Sequence, residues 1–307
     1  MNRCPITYLP VESGRYSKEG LAILSPQLSD LKDFPYGEEK QLELMLDYAD
    51  KLSFSGVQPK LSAKLNIQAQ EFEAVRRKGT FLLKLSRARF PELPQNEDLT
   101  MKLASIAGVI VPKHGMIYAI DRSLLYFIER FDRISKKKVH VEDLGQVAGM
   151  SRDKKYDSSM EQVGKLIDQF CTFPLLEKEK LFRLTLFNFL VGNEDMHVKN
   201  FSLITKDGIT ELSPAYDLIN STIVLKSDEE IALPLRGKKS NLSRSDLIDY
   251  YGKERLSLPI KTIDEVVSKL QTSYPKWEEL ITNSFLSEEK KEAYLTLLEK
   301  RFNRLSS

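Results

Sequence analysis

Up to about Arg130 the apolar residues of this chain mostly alternate, and beyond it they recur every three to four positions. Alternation suits a half-buried strand, whose successive side chains point to opposite faces, whereas recurrence near 3.6 keeps one stripe of a helix on a core. A single switch between the two patterns puts the sheet first and the helices after. Strands are expected over 52–67, as a pair about a Ser-Phe-Ser-Gly turn, and over 81–85, 109–111, 115–120 and 124–129, with helices over 38–49 and 95–107. The later part predicts helices over 159–170, 174–190, 243–251, 260–270 and 287–305; Pro174 opens the second, where its missing N–H is no loss. One hairpin interrupts them, with Asp207-Gly208 between Phe201-Ser202-Leu203-Ile204 and Ile209-Thr210-Glu211-Leu212. A length of 307 residues is more than one core usually sustains. The expected architecture is α+β and bilobal, with a β-rich N-terminal lobe over 1–130 and a mostly helical C-terminal lobe over 131–307.

Composition narrows the class of function. The net charge is +2, so no whole-protein positive field draws the chain to nucleic acid or an anionic membrane. Hydrophobic residues make up 41%, enough for a packed core. The longest nearly apolar runs, 124–128 and 184–191, fall short of the roughly 18 residues of a membrane span. Met-Asn-Arg-Cys-Pro at the start has no apolar secretory region. Cys4 and Cys171 give no disulfide framework, so a reducing cytoplasm is the expected setting; delivery into another cell stays open, because receptor-read export signals need not look like a signal peptide. His114, His140 and His197 are not spaced as metal ligands, which argues against zinc.

Chemistry concentrates in Gly192-Asn193-Glu194-Asp195-Met196-His197-Val198-Lys199-Asn200, where an apolar helix runs into polar side chains, and in Ser213-Pro214-Ala215-Tyr216-Asp217-Leu218 just past the hairpin. Phosphoryl transfer needs a carboxylate to orient and deprotonate an attacking hydroxyl, and an Asn with a second Asp to hold Mg²⁺ on nucleotide phosphates. Asp195 fits the base, and Asn200 and Asp217 the metal. Singly, each reads as a turn or cap residue; their order along the chain favours chemistry.

Upstream, Ser53-Phe54-Ser55-Gly56-Val57-Gln58-Pro59-Lys60 reads as a hairpin turn or as a phosphate cradle of backbone N–H groups, with Gly56 allowing close approach and Lys60 adding charge. Lys84 lies inside the apolar strand Phe81-Leu82-Leu83-Lys84-Leu85, on the face opposite Leu83 and Leu85, where its charge must be exposed or paired. Glu97, early in the next helix, is the expected partner. The strand edge at Phe127-Ile128-Glu129-Arg130-Phe131-Asp132-Arg133 offers backbone groups to an adenine, or else is a linker. His140, Glu142 and Asp143 are read as opening a helix.

Taken in order, residues 53–60, Lys84, Asn96-Glu97 with Met101, 128–133, 140–143 and 192–200 with Asp217 resemble the HipA-like toxin kinases over most of 52–220. The resemblance implies a protein-kinase-like bilobal fold and a serine/threonine kinase of a toxin–antitoxin module, using ATP and Mg²⁺. It implies Asp195 as base, Asn200 and Asp217 on metal, Lys84 and His197 at the phosphates, and Ser55, Gly56, Val57, Gln58 and Lys60 in the phosphate loop. Glu129 and Phe131 would meet adenine through their backbones, and Asp132 the ribose. Only the stretch up to Leu52 precedes the loop, whereas full-length HipA proteins carry an additional N-terminal subdomain. The chain is therefore similar to the short HipT branch, whose Ser-x-Ser pair is matched by Ser53 and Ser55. Short relatives often begin with Cys-x-x-Cys; here Cys4 is followed by Thr7 at the partner position.

Family toxins inactivate aminoacyl-tRNA synthetases, glutamyl-tRNA synthetase for HipA and tryptophanyl-tRNA synthetase for HipT. The expected target is thus a synthetase serine, with the tryptophanyl enzyme favoured. Antitoxin proteins are expected partners, DNA is reached only through them, and no membrane is involved. Phosphate added to Ser53 or Ser55 would place about −1.5 to −2 charge beside nucleotide phosphates and eject the loop. The rival readings are a non-catalytic, kinase-shaped subunit that docks an antitoxin as corepressor, and a small-molecule phosphotransferase.

Overall fold

Residues 2–48, 60–85, 90–134, 137–225 and 228–306 are described in a computed structural model of the chain. They fall into two units: Met1–Leu99 with Pro112–Lys137 and Asn283–Leu286, and Thr100–Val111 with Lys138–Thr282 and Ser287–Ser307.

The first unit carries α1 (Lys18–Leu24), α2 (Glu38–Tyr48), β1 (Lys60–Asn66), β2 (Glu71–Ala74), β3 (Phe81–Lys84), the start of α3 (Leu93–Ile106), β4 (His114–Tyr118) and β5 (Leu124–Glu129). Its five strands form an antiparallel sheet in the order β2-β1-β3-β5-β4. Alternation sends Leu61, Ala63, Phe81, Leu83, Leu125 and Phe127 into a core shared with Leu21 and Leu24 of α1 and with Phe34. Phe72, Phe81 and Phe127 meet there with ring centroids no more than 6.1 Å apart. The opposite face carries one cross-strand row, Lys60 beside Lys84, Lys84 beside Tyr126, and Tyr126 beside Met116.

The short β6 (Arg133–Ile134) and β7 (Lys137–Lys138) pair with each other. Then come β8 (His140–Asp143), α4 (Leu144–Val147), α5 (Met160–Phe170), α6 (Pro174–Val191), β9 (Ser202–Lys206), β10 (Ile209–Leu212), α7 (Thr222–Leu225), a π-helix (Asp246–Arg255), α8 (Ile260–Thr282) and α9 (Glu288–Ser306). In α6 Leu181, Phe182, Leu184, Leu186, Phe187, Phe189 and Leu190 are all buried, which makes it the central helix of the second unit. Trp277 of α8 meets Phe187 edge-on at 5.6 Å and Phe302 of α9 at 5.7 Å, and its indole N–H donates to the Leu103 carbonyl at 3.0 Å.

Several elements differ from the sequence expectation. Residues 109–111 form no strand: Gly108, at φ 82, ends α3, and the Val109 amide donates back to Ala104, so the apolar triplet caps a helix. Residues 140–143 are not a helix start but β8, paired with β9 in a three-stranded sheet of order β10-β9-β8; only Asp143 caps a helix, α4. β2 is not expected from the sequence: Glu71-Phe72-Glu73-Ala74 buries only Phe72 fully and is a strand through its pairing with β1. Helix α8 runs twelve residues past its expected end through Pro275, since burial of Trp277 and Ile281 outweighs the roughly 3 kcal/mol of an internal proline. The expected helix over 243–251 appears as the π-helix, with Gly252 so near Phe182 that a Cβ would fall 2.8 Å from its ring. The expected turn over 52–59 lies outside the described residues. No described helix is long and apolar enough to cross a membrane. Cys4 and Cys171 are both buried and free.

Candidate active site

Helix α6 ends at Gly192, whose φ of 71 few other residues tolerate and whose missing Cβ would lie 2.5 Å from Thr222 Oγ1 and 2.6 Å from Leu297 Cδ2. The Gly192 carbonyl accepts from the amides of Ser221 and Thr222 at 3.0 and 3.2 Å, and the Glu194 amide donates to Ser221 Oγ at 2.7 Å. These contacts fix how the chain leaves the core. Asn193, fully buried, donates to Asn188 Oδ1 at 3.0 Å and accepts from the Asp195 amide at 3.2 Å. Asn200 closes the loop: its Nδ2 donates to the Asp195 carbonyl at 2.9 Å, beside the His197 amide at 2.8 Å. Asp195 and Asn200 thus share one tightly bonded turn, with the Asp195 side chain half-buried.

Asp217 follows the β9–β10 hairpin at φ 54, a left-handed conformation that non-glycine residues adopt rarely and that gathers at functional sites. Its neighbour Tyr216 donates to the Lys199 carbonyl at 3.0 Å and is hydrogen-bonded to Ser202 Oγ at 2.5 Å. One phenol therefore ties the segment bearing Asp217 to the end of the loop bearing Asn200. Lys199 itself reaches Asp143 Oδ1 at 3.1 Å, and Asp143 caps α4 by accepting from the Gln146 amide at 2.9 Å.

His197 is buried, and among the described residues its Nδ1 has no hydrogen-bond partner. Burial lowers its pKa and the charge of Lys155 adds to this, while Asp195 pulls the other way. An imidazole nitrogen left unpaired in that position is a place where an incoming ligand regains a hydrogen bond. Tyr156 packs edge-on against His197 with centroids 5.1 Å apart, and its hydroxyl donates to Asp195 Oδ1. Nothing in the spacing of the sequence marks Tyr156.

In the first unit, Lys84 Nζ lies 2.5 Å from Glu97 Oε1, both side chains being buried, and 5.6 Å from the centre of the Tyr126 ring. Lys60, exposed, stands opposite Lys84 across the ladder. Lys84 is already neutralised by Glu97, so the second cation on this row of the sheet is the exposed Lys60. Next to Glu97, the fully buried Asp98 accepts from Tyr8 Oη at 2.7 Å and pairs with His114 Nδ1 at 2.9 Å, a network the sequence did not suggest.

The Glu129 amide donates to the Lys113 carbonyl at 2.8 Å, and Glu129, Phe131 and Asp132 are each half-buried. Asp132 is held by Arg130 at 2.8 Å and Arg133 at 2.5 Å. Burial works to raise its pKa, but these partners outweigh it and keep the carboxyl below its usual range. Ser53, Ser55, Gly56, Val57 and Gln58 lie outside the described residues.

The family described as HipA-like C-terminal domain matches residues 52–277. A putative kinase of Haemophilus influenzae is 30% identical over 237 residues, 72% of this chain and 68% of that protein. The serine/threonine-protein kinase toxin HipA of Shewanella oneidensis is 28% identical over 210 residues, 62% of this chain; the match spans 48% of that toxin's length. In solved structures, a chain of the Shewanella oneidensis complex of HipA, HipB and operator DNA superposes with a TM-score of 0.69 at 23% identity, covering 91% of this chain and 72% of that one, so the fold is shared. The chain belongs to the HipA-like C-terminal domain family.

Proposed function

We propose that the chain is an ATP-dependent serine/threonine protein kinase and the toxin of a bacterial toxin–antitoxin system. The observation that carries this reading is the hydrogen bond from Asn200 Nδ2 to the Asp195 backbone carbonyl, which ties the amide to the residue that bears the carboxylate within one turn. Asp195 accepts the hydrogen bond of an acceptor hydroxyl, aims its oxygen at the γ-phosphorus and takes its proton. Asn200 and Asp217 would hold Mg²⁺: one carboxylate and one amide, completed by phosphate oxygens, suit an ion that keeps few protein ligands, and the left-handed backbone at Asp217 fits a residue held for that purpose. An ion held there would supply charge neutralisation at the nucleotide phosphates. Lys84, kept in place by Glu97, and Lys60 serve phosphate oxygens, and the unpaired Nδ1 of His197 serves another. Residues 55–58 complete the phosphate loop. An adenine edge would meet the backbone at Glu129 and Phe131; because the Glu129 amide is engaged by Lys113, that residue offers its carbonyl. Asp132 would turn from its arginines to the ribose.

The protein acceptor is a serine of an aminoacyl-tRNA synthetase, tryptophanyl-tRNA synthetase first, and Ser53 or Ser55 is the site of autophosphorylation. The HipA structure that shares this fold is a complex with HipB and operator DNA, which supports an antitoxin partner here, with DNA reached through it. The test is incubation with γ-labelled ATP and Mg²⁺ alongside tryptophanyl- and glutamyl-tRNA synthetases. Label on a synthetase supports the assignment; label only on residues 53 or 55 retains the kinase and removes the substrate; label nowhere removes both.

A further inference from the structure

Tyr156, which neither the motif nor the family match assigns, touches the proposed base. Its hydroxyl donates to Asp195 Oδ1. The ring is held from several sides: His197 edge-on at 5.1 Å, Lys155 Nζ at 4.8 Å and Lys239 Nζ at 5.9 Å from its centre. The carbonyl of Lys155 accepts from the Val198 amide at 3.4 Å, which binds the segment before Tyr156 to the loop carrying Asp195. Burial, and then the hydrogen bond to the charged Asp195, raise the phenol's pKa, so it stays a neutral donor at physiological pH.

A base that must aim one carboxylate oxygen at an acceptor hydroxyl loses efficiency if the group rotates about its Cβ–Cγ bond. A fixed donor on the other oxygen stops that rotation. We infer that Tyr156 is a positioning residue: it pins Oδ1 of Asp195 and leaves Oδ2 to accept the acceptor hydroxyl. This rests on the kinase reading above. A loosely attached tyrosine in the same place would instead mimic the acceptor and block it; the cations and imidazole around the ring argue for the pinned state.

The experiment uses the full chain with Mg·ATP and dephosphorylated casein as a generic acceptor, comparing wild type with Tyr156→Phe. With its ring retained on a side chain 38% exposed, the variant keeps its packing, and an unchanged thermal midpoint checks this. Loss of one hydrogen bond to a charged group predicts a fall in kcat of roughly ten- to a hundredfold. KM for ATP and for casein should not change. A variant with unchanged kcat, or with raised kcat and lowered KM for casein as expected of a removed plug, overturns the positioning role while leaving the kinase intact. A wild type that transfers no phosphate overturns the kinase reading and this inference with it.

Discussion

Lys84 Nζ stands 2.5 Å from Glu97 Oε1, and neither side chain is more than 7% exposed. Burying two charges is expensive, and the pair repays it only while both partners are present. Lys84→Met should lower the unfolding free energy by about 3 kcal/mol, because it removes the cation 2.5 Å from a buried carboxylate, and Glu97→Gln by a similar amount. The double variant should be less destabilised than the sum of the two, since no lone charge remains. Urea unfolding of the three variants measures this; additivity would show that the two residues do not act as a pair.

A second buried carboxylate makes a prediction about acid. Asp246, 1% exposed, accepts from Lys238 Nζ at 2.9 Å and from Ser243 Oγ at 2.9 Å. Burial pushes its carboxyl up, yet the hydrogen bonds from Lys238 and Ser243 prevail and bring it from 3.8 down to about 2. A folded-state value below the unfolded one gives stability that is present above pH 3.8 and lost as pH falls towards 2. Asp246→Asn should therefore cost roughly 2 kcal/mol at pH 7, with the gap to wild type closing between about pH 4 and pH 2. Thermal unfolding across that range checks it; a gap independent of pH would mean that ionisation of Asp246 is not what stabilises the turn.

Gly192 sets the geometry of the candidate active site without contributing a side chain. Gly192→Ala meets both a left-handed backbone and atoms 2.5 and 2.6 Å from the new methyl group. The loss should be at least about 2 kcal/mol, with phosphoryl transfer falling further than stability alone accounts for, because Asp195 is displaced. Transfer rates measured well below the variant's melting point test this; a folded variant of full activity would separate Gly192 from the loop's function.

The sequence made the sheet, the central helix and the Asp195–Asn200 loop readable because each repeats a period or concentrates polar residues against an apolar background. Lys84 and Glu97 were legible for the same reason: a charge inside an apolar strand demands a partner. Asp98, His114 and Tyr8 were not, since Tyr8 lies 90 residues before Asp98 and reaches it only through the tertiary fold. Tyr156 was equally hidden, as it precedes a helix cap in a segment without a pattern of its own. Strand β8 escaped notice because His140, Glu142 and Asp143 suit a helix start locally and become a strand only through pairing with β9.

The most direct test of the whole account is phosphoryl transfer and nucleotide binding measured together for wild type and Asp195→Asn, with γ-labelled ATP and Mg²⁺. Wild type should label itself or an acceptor, while the variant binds Mg·ATP with similar affinity and transfers slower by several powers of ten, on the order expected for loss of an essential catalytic group. Equal labelling by the two proteins, or a wild type that neither binds nor transfers, would contradict it.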